Sequence, residues 1–243
     1  HDLDLKVQLG AYVSGPFASN AETNTREIES AIELANRYPD VVMAVSVGNE
    51  TQVSWSAHRS SEQKLVEYIR MVRAGVTQPV TTADDYNFWN KSESRLVAGE
   101  VDFILMHAHP LWNGLQLEDA VLWLDEQVGV VRGLHDSHQV VLGETGWATS
   151  VHDEGEQARL IKGAVGEAEQ KVFYEASLVW AEEMGVVMFT FEAFDENWKG
   201  GEHPDEVEKH WGLFNADRTP KAAMDPGWVP EVVPALADTV VPE

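Results

Sequence analysis

Cysteine is absent from the 243 residues. That excludes disulfides and thiolate metal sites, and it leaves the redox compartment open. No run of about 18 apolar residues occurs, so no segment is expected to cross a membrane as a helix. No charged, apolar and then small-residue leader opens the chain, so no signal peptide is expected within it. The chain begins with His1 rather than Met, as a piece cut from something longer would. Basic residues are scarce, with 17 against 41 acids and a net charge of −24. A nucleic-acid binder is usually basic, so that class is disfavoured. Self-repulsion at this charge favours solubility, and the plain reading is an acidic, solvated surface. No fixed-period repeat or low-complexity segment stands out.

Hydrophobic residues make up 44% of the chain, enough to bury one large α/β core or two small ones. Strand and helix patterns alternate. Leu5–Val13 reads as a strand, and Ile28, Ala31, Ile32 and Ala35 mark a helix that stops at Tyr38-Pro39-Asp40. Val41–Val47 is the second strand. Leu65, Ile69 and Val72 place a helix over Glu62–Gly75. Pro79–Ala83 is a short strand, followed by a weaker helical stretch through Leu96. Val101–Met106 is the fourth strand, and Val121, Leu124 and Val128 lie on the next helix. Gln139–Gly143 is the fifth strand. A helical region from Glu156 to Met184 has a break near Gly163–Gly166, and Val186–Phe191 is the sixth strand. Strands separated by helices imply parallel βαβ units, and near-continuous apolar strands imply cover on both faces. A doubly wound sheet and a (β/α)8 barrel both fit this pattern. The stretch after Asp225 contains four prolines and reads as an extended tail or linker over 226–243, after a domain over 1–225.

The residues suited to chemistry collect at strand ends. VVMAVSVGNE ends the second strand in Asn49 and Glu50. TTADDY gives Asp84 and Asp85, HAHPLW gives His107 and His109, and GETGW gives Glu144 and Trp147. FEAFDENWK gives Glu192, Asp195, Glu196 and Trp198. In parallel α/β folds the carboxyl ends of the strands share one face, where active sites are built. An apolar run such as Val41–Val47 therefore sets Glu50 firmly at a site rim. Two carboxylates across one cleft are the equipment of glycosidic-bond cleavage: one protonates the leaving oxygen, and the other attacks or activates water. A close like charge helps keep the acid protonated near neutral pH. Nine tryptophans add flat apolar faces suited to sugar rings as well as to a core.

These motifs resemble glycoside hydrolase family 17, the β-1,3-glucanases and related glucanosyltransferases with TIM-type (β/α)8 barrels. The resembling blocks are VVMAVSVGNE, TTADDYNFW, VDFILMHAHPLWNG, VVLGETGW, FTFEAFDENWKG and HWGLFNADRTPK, spanning most of residues 5–221. The resemblance implies a retaining mechanism in which Glu144 is the nucleophile and Glu50 the general acid/base, with their carboxyl groups about 5–5.5 Å apart. It implies that Asn49 bonds the sugar 2-hydroxyl and that Asp84 is a sugar-hydroxyl ligand or a turn residue. Lys199 and Glu208 would form a supporting charge pair. His109 stands where plant members carry a tyrosine near the nucleophile, and it would donate a hydrogen bond to Glu144. Trp112, Trp147, Trp198 and Trp211 are candidates for sugar stacking. The implied partner is a β-glucan polysaccharide or oligosaccharide, with no cofactor and no metal. Hydrolysis and transglycosylation are alternatives that these residues leave open. Because such glucans lie outside the cytoplasm, the resemblance implies an extracellular or periplasmic place.

Aligned on this family, the six strands are strands three to eight of the barrel. At about 30 residues per βα unit, roughly 60 residues would be missing upstream. Such an arc would leave open strand edges able to self-associate. Two rival readings remain. His107 and His109 form a His-x-His that could bind a metal with Asp84 or Glu144, but this leaves GNE and GETGW unexplained. A non-catalytic carbohydrate-binding remnant of the barrel would be consistent with the missing strands.

Overall fold

The computed structural model describes residue 3, residues 5–15 and residues 20–227. Most of the Pro-rich tail, from 228 onward, lies outside the described residues. The chain forms two compact units, His1–His107 with Gln127–Gly143, and Ala108–Glu126 with Glu144–Glu243.

The first unit alternates β1 (Val7–Ala11), α1 (Ala21–Arg37), β2 (Val42–Asn49), α2 (Glu62–Gly75), β3 (Val80–Asp85), the one-turn helices α3 (Tyr86–Trp89) and α4 (Arg95–Ala98), and β4 (Ile104–His107). It ends with the back half of α5 (Leu117–Leu134) and the first residues of β5 (Val140–Thr145). Helix α1 buries Ile28, Ala31 and Ala35 on one face, and it ends before Pro39, with the Tyr38 N–H closing on the Leu34 carbonyl. Helix α2 starts at Ser61, whose hydroxyl accepts the Lys64 N–H, and it buries Leu65, Val66, Ile69 and Val72. β1, β2, β3 and β4 pair in parallel, each with the next. All six residues of β3 are buried, as in a parallel strand covered on both faces. The stretch read from sequence as a weak helix before Leu96 is α3 and α4, joined by a 3-10 turn over Ser92–Ser94.

In the second unit, α6 (Gly155–Leu160) and α7 (Glu167–Glu183) are separated near the predicted glycines. The reason is steric. A side chain at Gly163 would stand 2.8 Å from the Trp147 ring and 2.5 Å from the Leu115 carbonyl. β6 (Met188–Thr190) follows, and the Phe191 N–H bonds the carbonyl of Thr145 at the end of β5. Gln170 of α7 is buried and donates its amide to the carbonyls of Trp147, Trp211 and Gly212, tying the strand-end loops to the helix.

The strand order is β1-β2-β3-β4-β5-β6, the order of the chain. A doubly wound sheet reverses its order at a switch point, whereas a (β/α)8 barrel adds each strand beside the last. The fold is therefore α/β of the barrel type, with six strand units in succession.

Candidate functional site

At the end of β2, Val45 and Val47 are fully buried, and the register against β3 shifts between Ser46 and Asn49. One extra residue on β2 makes a bulge, and Gly48 supplies it with φ 82°. A side chain there would press to 2.9 Å from Thr51 Cγ2, so glycine is required on two counts. Asn49 pairs with Ala83, and Glu50 follows in the left-handed region at φ 48°, with its N–H bonded to the Ala83 carbonyl at 2.9 Å. Glu50 Oε1 lies 3.2 Å from Nδ1 of His107, a residue that is only 2% exposed at the end of β4. The edge of Tyr12 meets the His58 ring 4.9 Å away, and burial together with the Glu50 charge raises the phenol above its usual pKa.

Of the two readings of Asp84, sugar ligand and turn residue, its contacts fit the turn. It is 0% exposed, and its two oxygens accept the Gln52 N–H at 2.9 Å and the Asp85 N–H at 3.0 Å. A carboxyl sealed in this way presents nothing to a sugar and serves the turn after Glu50. Burial pushes its pKa up to about 7 against those two N–H bonds; the Glu50 charge adds to the rise, and His107 opposes it.

In the second unit, Glu144 Oε2 lies 3.4 Å from Nε2 of His109. A carboxylate only accepts, so the tautomer that satisfies this contact carries its proton on Nε2. His109 Nδ1 is buried and finds no hydrogen-bond partner among the described residues; rings meet it edge-on, Phe191 at 5.4 Å and Trp211 at 5.2 Å between centroids. The Ala108 N–H bonds the Glu144 carbonyl at 3.0 Å and fixes the backbone that carries both residues.

Lys199 departs from the pairing expected of it. Its ammonium bonds Glu192 and Glu196, each at 2.7 Å, and lies 4.6 Å from the centre of the Phe191 ring. Glu208 instead receives a side-chain hydrogen bond from Trp112, and burial raises its pKa, while the His109 and Lys199 charges pull it down. Glu192 is raised to about 7, because burial outweighs its Lys199 partner. The tryptophans divide. Trp147 is 1% exposed, gives its N–H to the Ala164 carbonyl and packs on Phe173, so it is a core residue and no stacking platform. Trp211 is equally buried. Trp198 is 77% exposed, and Trp112 is half-buried.

Sequence reasoning assigned no partner to Glu50 and no role to Glu192. The signal for the first was present in HAHPLW, where His107 was weighed only as a metal ligand. Here each histidine of that pair meets a glutamate.

A family model described as the BtgE/BtgC glycoside hydrolase domain matches residues 1–212. A glucan 1,3-beta-glucosidase of Arthroderma benhamiae is 34% identical over 231 residues, covering 88% of this chain and 71% of that protein. A probable glucan endo-1,3-beta-glucosidase btgC of Aspergillus fumigatus is 26% identical over 241 residues, covering 91% of this chain. This chain spans only 34% of the length of that relative. Among solved structures, the glycoside hydrolase family 17 β-1,3-glucanosyltransferase of Rhizomucor miehei superposes with a TM-score of 0.75 at 25% identity. That match covers 92% of this chain and 77% of the other.

Proposed function

Because the chain belongs to the BtgE/BtgC glycoside hydrolase family, we propose that it cleaves β-1,3-glucan with retention, using Glu144 as nucleophile and Glu50 as general acid/base. The carrying observation is that both glutamates stand at carboxyl ends of parallel-type strands, each with a histidine nitrogen in reach, at 3.2 Å for Glu50 and 3.4 Å for Glu144. The relatives named for β-1,3-glucan supply the substrate class.

In the first step a Glu144 oxygen attacks the anomeric carbon as the glycosidic C–O bond breaks. Glu50 gives its proton to the departing oxygen. In the second step Glu50 takes a proton from the acceptor, whose oxygen displaces Glu144 and restores the starting anomeric configuration. Water as acceptor gives hydrolysis, and a sugar hydroxyl gives transfer. The likeness to a glucanosyltransferase structure favours keeping transfer as the second reading. His109, donating to Glu144, holds the nucleophile's oxygen in place. The half-buried Asn49 stands next to the acid/base for a sugar hydroxyl, and the exposed Trp198 offers a ring face. With such a substrate the reading extends to an extracellular or periplasmic place of work.

The test uses laminarin-type β-1,3-glucan. Glu144→Ala should abolish cleavage, and azide should restore turnover with an inverted glycosyl azide as product. Glu50→Gln should lose most activity on glucan while sparing substrates with a good leaving group. No rescue by azide would move the nucleophile elsewhere. Glucan binding without any product from the unaltered chain would favour a binding remnant.

A further inference from the structure

We infer that Asp84 is the positioning residue of Glu50, holding the left-handed turn that aims the acid/base. This rests on Glu50 having that role. Three observations in the first unit carry the inference. Gly48 and Glu50 both have positive φ, and a non-glycine residue such as Glu50 adopts that region only when its surroundings hold it there. Two consecutive residues of β3 supply the hold. The Ala83 carbonyl takes the Glu50 N–H, and the Asp84 carboxyl takes the Gln52 N–H two residues further on. Asp84 is itself anchored by the Asp85 N–H and is wholly enclosed, so it cannot reach substrate and must act through the turn.

The grip extends into the loop after Glu50. Thr51 is fully buried, and its carbonyl takes the Ser60 N–H, so the loop after Glu50 is closed on itself. Its hydroxyl accepts the Gln52 side-chain amide. The Glu50 N–H and the Asp84 carboxyl both tie this loop to β3. A carboxylate can accept both N–H groups, one on each oxygen. A neutral amide offers one oxygen only, so it can keep one of the two bonds. The ionisable groups facing Asp84 are Glu50 from the end of β2 and His107 from the end of β4. The first opposes a negative Asp84, and the second favours it.

The experiment compares Asp84→Asn with the unaltered protein on two substrates, laminarin and a dinitrophenyl β-glucoside whose leaving group needs no proton. A loosened acid/base should lower kcat on laminarin roughly 10- to 100-fold with KM within about twofold, and leave the activated substrate nearly unchanged. Equal loss on both substrates, or none on either, overturns the inference. Glu50→Gln runs beside it. If that variant shows no leaving-group dependence, the functional reading falls; if it does and Asp84→Asn does not, only the positioning role falls. Should Asp84→Asn fail to fold, the unaltered protein still answers. The Gln52 and Asp85 amide proton resonances should titrate together with a midpoint near 7, and the absence of a shared titration overturns the inference.

Discussion

Glu50 and Glu144 end two strands of one sheet order, and each meets a histidine, yet their settings are built from different materials. Around Glu50 the neighbours are polar and ionisable: His107, Asp84, and Tyr12, whose phenol feels the Glu50 charge. The backbone there is bent into a left-handed turn. Around Glu144 the backbone stays extended in β5, and the histidine beside it is gripped by aromatic edges. The difference matches what the two proposed roles demand. An acid/base must exchange a proton twice per cycle, and polar, ionisable neighbours suit that task. A nucleophile must keep one geometry, and rings packed edge-on hold the imidazole beside it firmly.

The contrast can be broken most violently through the aromatic side. Trp147→Ala should cost about 3–5 kcal/mol of stability, measured by denaturant unfolding, because it empties a filled core position beneath the loop that follows Glu144. If the cost is under 1 kcal/mol, the aromatic frame is not what holds that side.

The next effect belongs to the polar side and depends on pH. The Asp84 carboxyl is raised in the folded state to about 7. Its contribution to stability is therefore full below the unfolded carboxyl range and is lost as pH rises toward 7. The native state binds the proton over the window in which the unfolded chain has released it. Across that window the unaltered protein should lose up to about 4 kcal/mol that Asp84→Asn does not lose. Parallel stability–pH curves for the two would remove the buried acid from the account.

A smaller effect sharpens the picture at Lys199. Lys199→Met leaves Glu192 and Glu196 without their shared cation, so Glu192 should be pushed further above its present value of about 7. The expected stability loss is about 2 kcal/mol at pH 8, shrinking as pH falls and Glu192 takes up a proton. An unchanged Glu192 titration by NMR would mean that burial alone sets it.

The smallest effect on folding is at Trp198. Trp198→Ala should change stability by less than about 0.5 kcal/mol, since the ring is largely in solvent. Its loss should weaken laminarin binding about tenfold, the price of one stacked sugar. Unchanged affinity by calorimetry would leave Trp198 as an exposed ring without a task.

The sequence by itself determined the order of strands and helices. Alternating apolar runs and 3.6-residue periodicity depend only on near neighbours, so α2 is found over the residues read for it and β2 ends where Asn49 closes its apolar run. It also determined which residues stand at strand ends, because chain direction fixes those. Tertiary structure alone decided what each strand-end residue touches. Lys199 and Glu208 are nine residues apart, and nothing in that spacing shows that Glu192 and Glu196 take the lysine while Trp112 takes the glutamate. Trp147 and Trp198 follow strands in similar motifs, yet one fills the core and the other faces water. Asp84 reads as a polar rim residue, and the fold encloses it completely. The reason is common to all three. Burial and hydrogen-bond partnership are set by residues brought together from distant parts of the chain, and no local pattern records which of them arrive first.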